Sequence, residues 1–187
     1  EFIILLFFFF LSLFLLVFLY FTKDFPKPEK FTERPFIQST KIYDRTGQIL
    51  LYDLYGKEKR TVVPLKKIPL YLQQAVITAE DANFYKHHGI DVFATLKALV
   101  EDIKQKKPVR GGSTISQQLI RNSFLTHKKT IKRKVRELVL TLELERRYSK
   151  NQILEFYLNQ IPFGGNNYGV EAASESYFHK PVDEISL

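Results

Sequence analysis

Cysteine, methionine and tryptophan are all absent from the 187 residues. Without cysteine there is no disulfide scaffold, no thiolate zinc site and no cysteine nucleophile, although a lack of thiols assigns no compartment. Without methionine there is no start residue. The chain opens on Glu1 beside an apolar run, which reads as a fragment of a longer protein. No serine is followed three places later by lysine, so a Ser-x-x-Lys acylation nucleophile is excluded from this chain. No internal repeat and no low-complexity tract lies outside the apolar start, and the length suits one catalytic domain.

The most distinctive stretch is Phe2 to Phe21, twenty residues in which only Ser12 and Tyr20 carry a polar side-chain group. At helical rise this covers ~30 Å, the hydrocarbon thickness of a bilayer. A core helix is rarely apolar on every face, and a cleaved signal core is shorter and followed by small residues. Here Tyr20, Phe21 and Lys23 follow. A retained transmembrane helix over residues 1–22 is expected. Lys23, Lys27 and Lys30 would keep the following side in the cytoplasm by the positive-inside rule, but that rule compares two flanks and only one is present. Residues 23–40, with Pro26, Pro28 and Pro35 among charges, suit an extended linker.

Residues 41–187 read as the water-soluble body. Lys41 to Tyr52 suggests a short hairpin turning near Thr46-Gly47. After Pro64 the pattern is mostly helical. Pro69 suits a first helical turn, and Leu72, Ala75, Val76 and Ala79 recur as one buried stripe in a helix running into Glu80-Asp81. Asp91 reads as the N-cap of a second helix through about Ile103, with Val92, Leu96, Leu99 and Ile103 on one side. A basic loop, Lys104 to Arg110, leads to Gly111-Gly112-Ser113, where Ser113 is the expected cap of a third helix. A fourth spans roughly Thr130 to Arg147, with Ile131, Val135, Leu138 and Leu142 as its buried stripe. Ser149 and Gln152 fit a capping box opening a fifth. The Gly-rich turn from Phe163 to Gly169 precedes a further helix carrying Ala172, Ala173 and Tyr177.

Charge is uneven. The chain carries 28 Lys+Arg against 20 Asp+Glu, a net of +8. Residues 104–150 hold fourteen of the former and three of the latter, net +11, so the remainder sums to −3. That quarter of the chain suggests an anionic partner.

Three places could carry chemistry. Gly112 lets backbone approach a ligand, and a helix beginning at Ser113 offers free N–H groups and a dipole to an anion. Gln117, Gln118 and Arg121 follow within two turns. This is no Walker-type loop, and alone it is an ordinary helix start. On the fourth helix Arg133 and Lys134 lie four and three residues before Glu137, on neighbouring rows of one face. The plain alternative is a solvated face with ion pairs worth ~0.3–0.5 kcal/mol each. Glu80-Asp81 closes an apolar helix ahead of Phe84, His87, His88 and Gly89. A carboxylate there faces the negative dipole end, and partial burial would raise its pKa further, which suits a general base. The alternative is a surface acidic pair; a metal site from Asp81, His87 and His88 matches no strong template.

Together these segments resemble one family. Glu80-Asp81-Ala82-Asn83-Phe84-Tyr85-Lys86-His87-His88-Gly89 looks like its first motif. Gly111 to Gln118 looks like the second, Arg133-Lys134-Val135-Arg136-Glu137 the third, Ile153 to Asn159 the fourth and Gly165 to Ala173 the fifth. The family is the peptidoglycan glycosyltransferases, found in class A penicillin-binding proteins and as monofunctional enzymes. The likeness covers roughly residues 40–187. Ser116 stands where Thr is usual, Arg121 where Lys is usual, and Asn167 where the family often has Gly and where a positive φ would be tolerated.

The resemblance implies a mainly α, lysozyme-like, two-lobed domain, whose smaller apolar lobe lies against the membrane, with a short N-terminal β-hairpin and an N-terminal transmembrane helix. It implies that lipid II is added to a growing glycan strand on the outer face of the cytoplasmic membrane, with a β-1,4 bond formed by inversion and lipid pyrophosphate released. Glu80 would be the general base. Glu137 would orient the cations or hold a divalent metal, Mg or Mn, against the pyrophosphate. The substrate-binding set it implies is Asp81, Phe84, His87, Gly112, Ser113, Thr114, Gln117, Gln118, Arg121, Arg133, Lys134 and Asn159. No organic cofactor and no nucleic acid are implied; membrane lipid and other members of a cell-wall synthesis complex are. Two other readings compete: a lysozyme-like lytic enzyme cutting the same polymer, and a non-catalytic membrane-anchored module binding anionic polymer through residues 104–150.

Overall fold

The computed structural model describes residues 5–12, 16, 40–54, 56, 58–105, 112–125, 128 and 130–186. Most of the expected membrane helix, nearly all of the expected linker, Gly111 and most of the basic loop lie outside the described residues. Residues 5–12 are helical, and among the described residues no helix is long and apolar enough to cross a membrane.

The body is mainly helical. Strands β1 (Thr40–Tyr43) and β2 (Leu50–Leu54) pair antiparallel, with Thr40 opposite Leu54 and Ile42 opposite Tyr52. Asp44 holds the turn between them: its carboxylate accepts the N–H groups of Gln48 and Ile49, both at 3.0 Å. Gly47 supplies the positive φ of +74°. A second, parallel pair joins β3 (Lys59–Arg60) to β4 (Asn167–Tyr168). Two-residue strands leave no periodic trace, so nothing in the pattern announced them.

Among the described residues six α-helices follow Pro69: α1 (Leu70–Glu80), α2 (Val92–Gln105), α3 (Ile115–Phe124), α4 (Ile131–Arg147), α5 (Lys150–Gln160) and α6 (Val170–Phe178). Four of them start on a side-chain cap, and α1 and α6 do not. Asp91 accepts the Ala94 N–H at 2.8 Å to begin α2. Thr130 accepts the Arg133 N–H at 3.1 Å to begin α4. Ser149 and Gln152 cap α5 reciprocally. For α3 the cap is Thr114, not Ser113: Thr114 accepts from the Gln117 N–H, and the Gln117 side chain returns the bond, both at 3.2 Å. The box needs Gln three residues on, and only Thr114 has it at the required offset.

Helix α3 packs on α4 and α5, and their junction is the core. Phe84, Ile115, Ile120, Leu144, Ile153, Leu154 and Leu158 are fully buried there, each contributing ~1.5–3 kcal/mol of apolar burial. Asn159 in α5 pins the segment before α1, accepting the Val63 N–H and donating to the Val63 carbonyl, each at 2.9 Å.

The expected stripes on α2 and α4 are corrected, and that on α1 holds in part, with Leu72 and Val76 against the core and Ala75 and Ala79 exposed. Helix α1 buries none of its residues, and in α2 Phe93 is 86% exposed and Val92 and Leu96 are exposed as well. Both helices border the cleft, while α1 still sets Leu72, Val76 and Ile77 partly buried against the core and α2 buries Ala98. In α4, Ile131 and Leu142 are exposed, and the inward row is Glu137, Leu140, Thr141 and Leu144. A carboxylate can lead a buried row here because cations from its own helix neutralise it.

Candidate active site

The end of α1, the turn to α2, α2 itself and the start of α3 surround a cleft of about 590 Å³. Glu80, Asp81, Gly112, Ser113, Thr114, Gln118 and Arg121 line it, together with Asn83, Asp91 and Lys97. Glu80, the last residue of α1, is exposed; the partial burial expected for it falls on its neighbour. Asp81 is 7% exposed and fully engaged. Its Oδ2 accepts the backbone N–H of Ile115 at 3.0 Å, and both oxygens lie 3.0 Å from His87 Nε2. His87 Nδ1 accepts the Gly89 N–H at 3.1 Å, which leaves Nε2 as the donor. His87 therefore holds Asp81 in place.

Gln118 connects the acid to the core. Its Nε2 donates to Glu80 Oε2 at 2.9 Å and to the Ser113 carbonyl at 3.4 Å, and its Oε1 accepts from the Tyr157 hydroxyl at 3.1 Å. Burial, and then the negative charge of Glu80, push the Tyr157 hydroxyl pKa well above its ordinary value, so it stays a donor. On the opposite wall Asp91 has its carboxyl pulled down, first by the Ala94 N–H and then by Asn83, whose Nδ2 donates at 2.9 Å.

Gly112 brings α2 close. Thr95 Oγ1 donates to its carbonyl at 3.0 Å, and a Cβ on Gly112 would stand 3.1 Å from the Thr95 Cα. A side chain there would push the two walls apart.

The other expected residues lie elsewhere. Phe84 is a core residue, with Lys150 Nζ 4.6 Å from its ring centroid. Gln117 is spent on the cap of α3, and Asn159 on the Val63 segment. Arg133, Lys134 and Glu137 form their own cluster on α4, outside the residues lining the cleft. Glu137 is 0% exposed; Arg133 Nη1 donates to its Oε2 at 2.5 Å and Lys134 Nζ to its Oε1. That is no solvated face. A divalent cation does not fit at Glu137 in this arrangement, because both oxygens already face cations that would repel it. Among the described residues no group of three His, Asp or Glu side chains is placed to hold a metal.

The departures in the motifs have local explanations. Ser116 keeps a hydroxyl, which donates to Glu145, itself paired with Lys150 at 2.8 Å. Arg121 reaches the cleft. Asn167 needs no unusual backbone: the positive φ values of that turn belong to Gly164, Gly165 and Gly169.

Sequence reasoning did not single out Asn83, Asp91 as a cleft carboxylate, Lys97 or Tyr157. Asn83 and Tyr157 sit inside the quoted motifs, so position could have drawn attention to them. Lys97 carries no sequence signal of its own.

Residues 47–187 match the transglycosylase family. The chain is 42% identical over 165 residues to penicillin-binding protein 1A of Aquifex aeolicus, covering 88% of this chain and 22% of that protein. It is 46% identical over 149 residues to penicillin-binding protein 1F of Bacillus subtilis, 80% of this chain and 21% of that one. Against penicillin-binding protein 1A/1B of Bacillus subtilis identity is 48% over 140 residues, 75% of this chain and 15% of the relative. The chain thus spans 15–22% of the length of these curated relatives.

Proposed function

The chain belongs to the transglycosylase family, and from that premise we propose that it is a peptidoglycan glycosyltransferase polymerising lipid II. The observation that carries the reading is the exposed carboxylate of Glu80, held by Gln118 in a cleft whose walls also bear Arg121 and Lys97.

Glu80 takes the proton of the acceptor sugar's 4-hydroxyl as that oxygen attacks the anomeric carbon of the donor strand. The bond from the anomeric carbon to the pyrophosphate oxygen breaks, and the leaving group departs with the electron pair. Attack opposite the leaving group inverts the centre and gives the β-1,4 link. Pyrophosphate leaves as a stable anion, so the site needs no strong acid facing Glu80. It needs positive charge where negative charge grows. Arg121 and Lys97 are the cations among the described residues of the cleft, and the N–H groups of Thr114, Ile115 and Gln117 at the start of α3 are already taken by Asp81 and the capping box. Arg133 and Lys134 serve the same anion farther along the bound substrate, each in contact with Glu137, which orients them. No step is assigned to a metal.

A lysozyme-like, two-lobed arrangement belongs to this reading, as does a membrane-held lipid substrate on the outer face of the cytoplasmic membrane. The apolar run Phe2–Phe21, as a membrane helix, would confine enzyme and substrate to one surface.

Labelled lipid II incubated with the chain tests the proposal. Polymer is expected from the unaltered protein and none from Glu80→Gln, with thermal unfolding unchanged. Shortening of preformed glycan instead of growth would assign a lytic enzyme.

A further inference from the structure

The chain of contacts behind Glu80 has a direction. Gln118 offers one carbonyl oxygen and one amide nitrogen, and the two ends are set differently. The nitrogen faces two acceptors, Glu80 Oε2 and the Ser113 carbonyl, while the oxygen faces one donor, the Tyr157 hydroxyl. Flipping the amide would put its carbonyl against both acceptors and its N–H groups against the phenol oxygen. Of the three partners, Tyr157 alone marks the oxygen end. It is also the one anchored in the core, at 2% exposure, on α5. Glu80 is exposed and on the last turn of α1, and among the described residues Gln118 is the hydrogen-bond partner that fixes its rotamer.

We propose that Tyr157 is a positioning residue for the reaction: through Gln118 it fixes the carboxylate of Glu80 at the angle from which it takes the acceptor proton. This rests on the glycosyltransferase reading and deepens it. Tyr157 touches no substrate. Its hydroxyl orders the amide, and the amide selects one oxygen of Glu80, Oε2, as the bonded one. Oε1 is then the oxygen left for the incoming hydroxyl. A proton can move to Oε1 without disturbing the bond at Oε2, so the support persists through the step.

The test compares the full chain with Tyr157→Phe, Gln118→Leu, the double variant, Gln118→Glu and Glu80→Gln, each given lipid II in detergent. Tyr157→Phe keeps the ring that packs in the core and deletes one oxygen, so folding survives; thermal unfolding of each variant is recorded alongside. Tyr157→Phe is expected to lower kcat by about tenfold, the loss of one ordering hydrogen bond, with KM little changed. Gln118→Glu keeps an acceptor for Tyr157 but loses the N–H donor, and is expected to fall despite an intact tyrosine. Adding Tyr157→Phe to Gln118→Leu is expected to cost nothing more, since the tyrosine acts only through the amide. A purely structural tyrosine would give additive losses. Those losses, or a Tyr157→Phe variant with unchanged kcat beside an inactive Glu80→Gln, would overturn the inference and leave the proposed function standing. Full turnover in Glu80→Gln would overturn the proposed function, and this inference with it. Exchange of the Gln118 side-chain amide protons gives a readout independent of turnover: faster exchange in Tyr157→Phe supports the ordering role, and unchanged exchange refutes it.

Discussion

Asp81 Oδ2 accepts the backbone N–H of Ile115 at 3.0 Å, across 34 residues of chain. This bond ties the end of α1, where Glu80 sits, to the first residue of α3. The two walls of the site are therefore registered by a buried carboxylate that is next to the proposed base in sequence and different from it in role.

Removing that carboxylate should loosen the register. Asp81→Ala leaves the Ile115 N–H and His87 Nε2 without their acceptor, at a cost of about 1–3 kcal/mol. Urea unfolding should show the loss, and Asp81→Asn, which keeps one acceptor oxygen, should lose less.

Glu137 makes a sharper case. Its carboxylate is fully buried between Arg133 and Lys134, and Arg133 is itself only 16% exposed at its side chain. Glu137→Ala strands that guanidinium, and the expected cost is about 3 kcal/mol, since breaking a buried pair from one side is worse than replacing it. The double change Arg133→Met with Glu137→Met should be less damaging than Glu137→Ala alone. Lys134, 44% exposed at its side chain, can turn to water in either case. Denaturant midpoints for both proteins check the order.

Glu171 should govern part of the pH dependence. Burial is the largest influence on it and raises its pKa above the ordinary 4.5, while the Val182 N–H bond at 2.8 Å lowers it less. A carboxyl raised on folding contributes stability that is fully present below the unfolded pKa and is lost as pH rises through the folded value. Glu171→Gln keeps an oxygen for Val182 and cannot ionise. Its melting temperature should exceed that of the unaltered protein at pH 7, and the two should converge as pH falls below 4.5. A variant less stable at pH 7 would contradict this account.

Gly169 and Gly47 share a positive φ, +82° and +74°, but not their surroundings. A Cβ at Gly169 would stand 2.8 Å from the Asn159 carbonyl oxygen, whereas one at Gly47 meets nothing within 4 Å. Alanine at Gly47 should cost about 1 kcal/mol of backbone strain. Alanine at Gly169 should cost clearly more, because it also displaces the residue that pins Val63. Thermal unfolding of the two variants separates strain from collision.

Helix starts were the most legible part of the fold. Ser149 with Gln152, Thr130 and Asp91 are short-range capping chemistry, and a sequence displays short-range chemistry directly. The error at Ser113 was one residue, and the partner Gln117 is what moves the cap to Thr114. Inward faces were less legible. Helix α4 carries apolar residues on two sides, and choosing the richer one put Ile131 and Leu142 inside and Glu137 outside. Periodicity locates a face but does not say what the face meets. Glu80, Gln118 and Arg121 could be read as one site because their motifs carried them. Tyr157, set behind Gln118, could not, since a buried tyrosine in a helix reads first as packing.

Strand β3 finds its partner β4 108 positions later, at Lys59 opposite Asn167. Close by, Glu175 on α6 accepts Lys41 of β1 at 2.6 Å and lies 3.9 Å from Lys59. β1 and β2 can pair with each other as soon as they are made, but during synthesis β3 must wait, unpaired, until the ribosome has delivered α1 to α5. Every nascent chain passes through an interval in which its helices can pack while β3 stays open to other chains, and a slow late phase of maturation is the kinetic cost of that wiring.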